Sequence, residues 1–187
     1  DRAGIVHRLD KNTSGLMVVA RNHKSQKYLV QQLQTHSISR EYSAIVYGHM
    51  ISGGTITEPL GRDSNNRVKQ AVVRNGKEAT THYRVIDRFK SHTHVKAILE
   101  TGRTHQIRVH LSHIGHSLVG DSIYGGKVRY PRKASEALKN ELLNFRRQAL
   151  HSKKLSLNHP QSGELMSWKA PLPDDMLKLL QVLEKFD

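Results

Sequence analysis

Asn75-Gly76 stands between Ala71-Val72-Val73 and Ala79-Thr80-Thr81-His82-Tyr83, and an Asn-Gly pair between β-rich runs is a strong local signal for an antiparallel hairpin. It predicts a chain built on strands that double back beside one another. A second signal of this kind, His159-Pro160-Gln161-Ser162-Gly163, lies between Leu155–Leu157 and Leu165–Trp168. Arg40–His49 and His94–Leu99 read as further strands, Leu16–Ala20 as a short buried one, and Ser52-Gly53-Gly54 as a turn.

Helical patterns fall between these strands. Ser25 is placed to cap a helix burying Leu29, Val30 and Leu33. After His94–Leu99, Thr101-Gly102 turns the chain into a helix with Thr104 near its cap, Ile107, Leu111 and Ile114 on one face, and Gly115 at its C-terminal end. Arg108, one step round from Ile107, then looks toward a cleft beside the buried stripe. A Gly, Pro and basic stretch from Gly125 to Lys133 reads as a surface loop and Ala134–Arg147 as a helix. Asp174 or Asp175 caps a last amphipathic helix carrying Met176, Leu179, Leu180 and Leu183. With no repeat, low-complexity tract or linker, the expected architecture is one α+β domain whose largely antiparallel sheet is flanked by helices.

Composition narrows what such a domain does. The chain of 187 residues can bury a core without staples, and its lack of cysteine excludes disulfides and a thiolate nucleophile and suits a reducing cytoplasmic setting. No apolar run approaches the ~20 residues of a membrane span, and no signal peptide is visible at the start. Thirty Lys plus Arg against sixteen Asp plus Glu give a formal charge of +14, which points to a polyanionic partner; nucleic acid and an anionic membrane surface both answer to charge alone. Only 5% of residues are aromatic, which favours backbone contacts plus one localised site over an extended stacking platform.

The candidate chemistry gathers in three segments. In Val6-His7-Arg8-Leu9-Asp10-Lys11-Asn12-Thr13-Ser14-Gly15-Leu16 one carboxylate, Asp10, lies between a basic cluster and a Thr-Ser-Gly turn. Taken alone, Asp10 fits an Asx turn as well as a catalytic acid or base. The other two are Arg40-Glu41-Tyr42-Ser43-Ala44 and Thr101-Gly102-Arg103-Thr104-His105-Gln106-Ile107-Arg108-Val109-His110. His105, His110, His113 and His116 are near one another, but the group includes no carboxylate or cysteine and Gly115 breaks the helix before His116, so no metal site is expected. Tyr124-Gly125-Gly126-Lys127 does not continue as a P-loop, so no nucleotide cofactor is expected either.

In this order the three segments resemble the active-site motifs of the RluA family of pseudouridine synthases, and the resemblance covers nearly the whole chain. Val119-Gly120-Asp121, Tyr124-Gly125-Gly126 and Arg147-Gln148-Ala149-Leu150-His151 are worded most like the branch acting on large-subunit ribosomal RNA. The resemblance implies the pseudouridine synthase fold and a cofactor-free isomerisation of uridine in RNA, with Asp10 as the essential carboxylate, Arg108 as its ionic partner and Tyr42 stacked on the target base. Arg8 would fill the space left by the flipped nucleotide, and Arg103, His105 and Ile107 would belong to the substrate-binding wall. It further implies that residues 1–187 form a catalytic domain without the N-terminal strands, or the S4-like RNA-binding domain, that relatives carry. The expected substrate is a stem-loop of large-subunit ribosomal RNA, acted on by a cytoplasmic monomer that does not engage membranes. The alternatives are a transfer RNA substrate and a non-catalytic RNA-binding or ribosome-assembly module.

Overall fold

A computed structural model describes residues 4–66 and 68–187; the remaining positions of the expected 1–187 domain lie outside the described residues. The chain runs β1 (Ser14–Gly15), α1 (His23–Gln34), β2 (Ser39–Tyr47), β3 (Gly54–Thr57), β4 (Leu60–Arg62), β5 (Gln70–Val72), β6 (Thr80–Arg88), β7 (His92–Leu99), α2 (Gln106–His113), α3 (Glu136–Asn144), β8 (Leu150–Asn158), β9 (Leu165–Lys169) and α4 (Asp174–Phe186). Seven strands form one sheet in the order β1-β8-β2-β7-β6-β3, with β9 also paired to β8. Every pairing in it is antiparallel except β1 with β8.

The central strand β2 sends alternate side chains to two separate cores, as the two-residue period of a strand requires. Tyr42, Ala44 and Val46 join Val95, Ala97, Ile107 and Leu111 beneath α2. Ile45 and Tyr47 join Leu138, Leu142, Met176, Leu179 and Leu183 beneath α3 and α4. A third cluster, Leu29, Ile38, Leu155 and Leu157, seats α1 at the β8 end of the sheet.

Several expectations need correction. Asn75-Gly76 does turn the chain, with Gly76 N donating to Val73 O at 2.9 Å, but the flanking strands part: β5 pairs with β4, and β6 lies between β3 and β7. Gly76 is required because the backbone of Leu60 passes within 2.7 Å of where a Cβ would stand. The run Leu16–Ala20 is not a buried strand. Among the described residues it is held by a Leu16 N to Ser152 O hydrogen bond at 2.9 Å and a Val19–Ile5 bridge, and Met17 and Val19 are about half exposed.

The helix caps also move. Asn22, not Ser25, caps α1, its carboxamide oxygen accepting from Ser25 N at 2.9 Å. Thr104 lies next to the cap of α2 as expected; the N-cap itself is His105, in a left-handed conformation (φ 57°). Gln106 turns back there, and its Oε1 accepts from Arg103 N and the Thr101 hydroxyl. α3 is shorter than expected and starts after Ser135, and Pro173 rather than an Asp precedes α4. The His159–Gly163 turn joins β8 to β9 as expected.

Candidate active site

The Asp10 turn is fixed by the far end of the chain. Thr13 N donates to Asp10 O at 2.9 Å, and Asn12 takes φ 69°, a conformation Asn tolerates better than most residues. Gln148 Nε2 donates to Lys11 O at 2.7 Å and to Thr13 Oγ1 at 2.9 Å, and Arg147 Nη1 reaches Asn12 O at 3.4 Å. Just beyond, β1 lies parallel to β8, and Gly15 (φ 106°) passes so close to Ser152 O that a Cβ would stand 2.2 Å from it.

Asp10 opens into a cleft of about 480 Å³ also lined by Arg8, Tyr42, Arg103, His105 and Ile107. The three segments therefore meet in one place. Tyr42 rises from β2, and burial pushes its phenol above its ordinary pKa, so at neutral pH the hydroxyl keeps its proton. Arg8 and Arg103 are exposed at the rim, where Arg103 Nε donates to Glu78 O at 3.0 Å. Ile107 contributes to both the cleft wall and the core.

Arg108 meets Asp10 as expected, but it does not line the cleft. It is buried behind it, and its fork is committed elsewhere: Nε and Nη2 donate to Asp121 at 2.7 and 2.9 Å, leaving Nη1 to reach Asp10 Oδ2 at 3.3 Å. Asp121 has no exposed side-chain surface and also accepts from Ile123 N and Tyr124 N. Burial by itself would raise the Asp121 carboxyl, and Arg108 more than reverses this, so its pKa falls below the ordinary carboxylate value. Burial likewise disfavours the charged Arg108, and the Asp121 contacts outweigh it.

Tyr124 completes this back wall. Its ring lies 5.0 Å from the Arg108 guanidinium, and its hydroxyl accepts from Gln70 N at 2.9 Å and meets His105 Nδ1 at 2.7 Å. Burial lowers the pKa of His105 and brings that of His7 to about 4, and the His7 Nε2 accepts a hydrogen bond from Val18 N at 3.1 Å. His110 and His116 are turned into the scaffold, toward Thr81 Oγ1 and Tyr47 O respectively. Asp121, Tyr124 and Gln148 lie in segments that carried the resemblance, but the sequence reading gave them no role in the site. Asp121 carried one local signal, an acidic group placed directly after the apolar pair Leu118-Val119 and a glycine.

The sheet thus brings one carboxylate, Asp10, and one shared arginine, Arg108, together at a basic cleft. The family model described as RNA pseudouridylate synthase matches residues 1–113, and the chain belongs to that family. It is 57% identical over 184 residues to ribosomal large subunit pseudouridine synthase D of Pseudomonas aeruginosa, covering 98% of this chain and 58% of that protein. To the protein of the same name from Escherichia coli K12 it is 54% identical over 182 residues, covering 97% and 56%. The chain thus spans little more than half the length of these curated relatives. Among solved structures, human RNA pseudouridylate synthase domain containing 4 superposes with a TM-score of 0.76 at 28% identity, covering 98% of this chain and 76% of that one. Human RNA pseudouridylate synthase domain containing 1 gives 0.72 at 25% identity, covering 96% and 79%.

Proposed function

We propose that this chain carries the catalytic site of a pseudouridine synthase acting without a cofactor on a stem-loop of large-subunit ribosomal RNA. One observation carries the reading: Asp10 faces the cleft beside Tyr42 with only its Oδ2 engaged by Arg108, and among the described residues no protein hydrogen bond is made to Oδ1. A protein that only bound RNA phosphates would have no use for a carboxylate at the base of a basic cleft. The relatives' names and the excess of basic residues support the ribosomal substrate.

In the reaction the C1′–N1 bond breaks, the base turns within the cleft, and a C1′–C5 bond forms; C5 loses a proton and N1 gains one. Nothing is consumed. A carboxylate starts this by adding to the nucleoside or by removing a sugar proton, and either route uses an oxygen free to face the substrate. Tyr42 supplies a flat wall for the base and, close by, a hydroxyl for the C5 proton step. The uridine must leave its stack to reach Asp10, and a loop nucleotide does so at less cost than a paired one.

Asp10→Asn keeps the size and much of the hydrogen bonding of Asp10, so it should abolish pseudouridine formation while leaving RNA affinity within about twofold. Wild-type turnover by this variant would end the assignment. The substrate is tested by comparing a large-subunit stem-loop, a transfer RNA anticodon arm and oligouridine at two salt concentrations. Preference for the transfer RNA, or equal rates on all three, would overturn the ribosomal reading. Mapping pseudouridine in the RNA of cells lacking the protein then identifies the modified sites.

A further inference from the structure

Beyond Tyr42 the cleft continues to a second end, between the C-terminal part of α1 and the Thr101-Gly102-Arg103 turn, and Arg40 lies in its floor. Arg40 and Tyr42 project from the same face of β2, about 6.6 Å apart along the strand, a span comparable with one nucleotide unit. Arg40 is only 5% exposed, yet among the described residues no carboxylate forms an ion pair with it. Its Nη2 donates to Glu100 O at 3.3 Å, and its Nε is buried without an acceptor. Burial lowers its pKa, the direction expected of a cation without a counter-charge. The contrast with Arg108 and Arg147, each held by both oxygens of a carboxylate, is sharp.

A buried guanidinium without an anion is costly, and it persists where function requires it. Gly102 belongs to the same arrangement, since a Cβ there would stand 2.5 Å from Arg40 Nη1. The missing side chain leaves the terminal nitrogens of Arg40 room at the cleft.

We propose that Arg40 is an anion subsite that binds one phosphodiester of the RNA strand beside the target uridine. The inference rests on the proposed function and adds where the strand is held. A flipped nucleotide turns about the phosphates on either side of it, so gripping one of them one strand repeat from Tyr42 would hold the base in the cleft. The planar guanidinium suits two oxygens of a phosphate. Arg8 and Arg103 at the rim leave the cleft cationic overall, with Asp10 its only carboxylate among the lining residues.

The test is a double-mutant cycle between protein and RNA. Stem-loop RNAs, each with one uncharged methylphosphonate linkage near the target uridine, are titrated against wild type, Arg40→Met and Gly102→Ala, and affinity and turnover are both measured. One linkage should weaken wild-type binding about tenfold, as expected for a hydrogen bond to a charged group. Arg40→Met should bind the unmodified RNA about tenfold more weakly, lose no more at that linkage, and flatten the salt dependence by about 0.7 in log–log slope. Its melting temperature should be unchanged or higher, because the variant removes an uncompensated buried charge. Gly102→Ala keeps the charge but displaces the guanidinium, and should weaken binding at the same linkage. Losses that simply add at every linkage, or a variant that melts earlier and binds normally, would make Arg40 a scaffold residue and overturn the proposal. Because affinity is read apart from turnover, a wild-type protein that binds with this pattern but forms no pseudouridine would sink the proposed function and leave the subsite standing.

Discussion

Arg108 is shared unequally between two carboxylates, and this changes what its removal should do. Asp121 receives two short hydrogen bonds from it in full burial, whereas Asp10 receives one at 3.3 Å while facing the cleft. Arg108→Met therefore strands Asp121 more than Asp10, and should cost about 3 kcal/mol of stability in denaturant titrations, the range for breaking one side of a buried pair. Arg108→Met combined with Asp121→Leu should recover most of that stability and none of the turnover. Recovery of turnover would show that Arg108 serves the fold alone. The motifs pointed to Asp10, Tyr42 and Arg108, and the structure brings Asp10 and Tyr42 into one cleft with Arg108 Nη1 3.3 Å from Asp10 Oδ2. The division of Arg108 was not, because it depends on a loop 13 residues downstream closing back beneath α2.

Partners adjacent in sequence were readable only where the turn signal also joined the strands that pair, and distant partners were not readable. β8 and β9 meet across the short His159–Glu164 connection, so turn chemistry and alternation together predicted their pairing. β5 carries an equally good turn signal, yet it pairs backward with β4 because the chain leaves Gly76 alongside Leu60. Likewise Leu16–Ala20 has a strand's composition, but among the described residues it forms no strand of its own and pairs at isolated points. The clamp on the Asp10 turn is of the distant kind. Gln148→Leu removes both hydrogen bonds from the turn's underside and should lower turnover about tenfold or more, since catalysis is sensitive to small misplacements. Stability should fall by only about 1–3 kcal/mol. Unchanged turnover in this variant would show that β1 pairing suffices to hold Asp10.

The molecule as a whole is made acid-sensitive by its histidines. His7, His92, His94, His105, His110 and His151 all have lowered pKa values, each chiefly through burial. The unfolded chain binds protons at these rings near pH 6.5 while the folded one resists, so stability is full above that value and declines as pH falls below it. For His7 the decline runs from about 6.5 to about 4 and amounts to roughly 3 kcal/mol. Urea midpoints should drop steeply between pH 6.5 and 4, and His7→Gln should flatten that slope; a midpoint independent of pH over this interval would contradict neutral burial. In time as well as in space, the hydrogen bonds from Gln148 to the Asp10 turn join positions up to 137 residues apart, so they depend on a non-local closure expected late in folding. Partly folded molecules should thus be silent in an activity assay, and regained turnover after dilution from denaturant should follow the slowest phase of refolding.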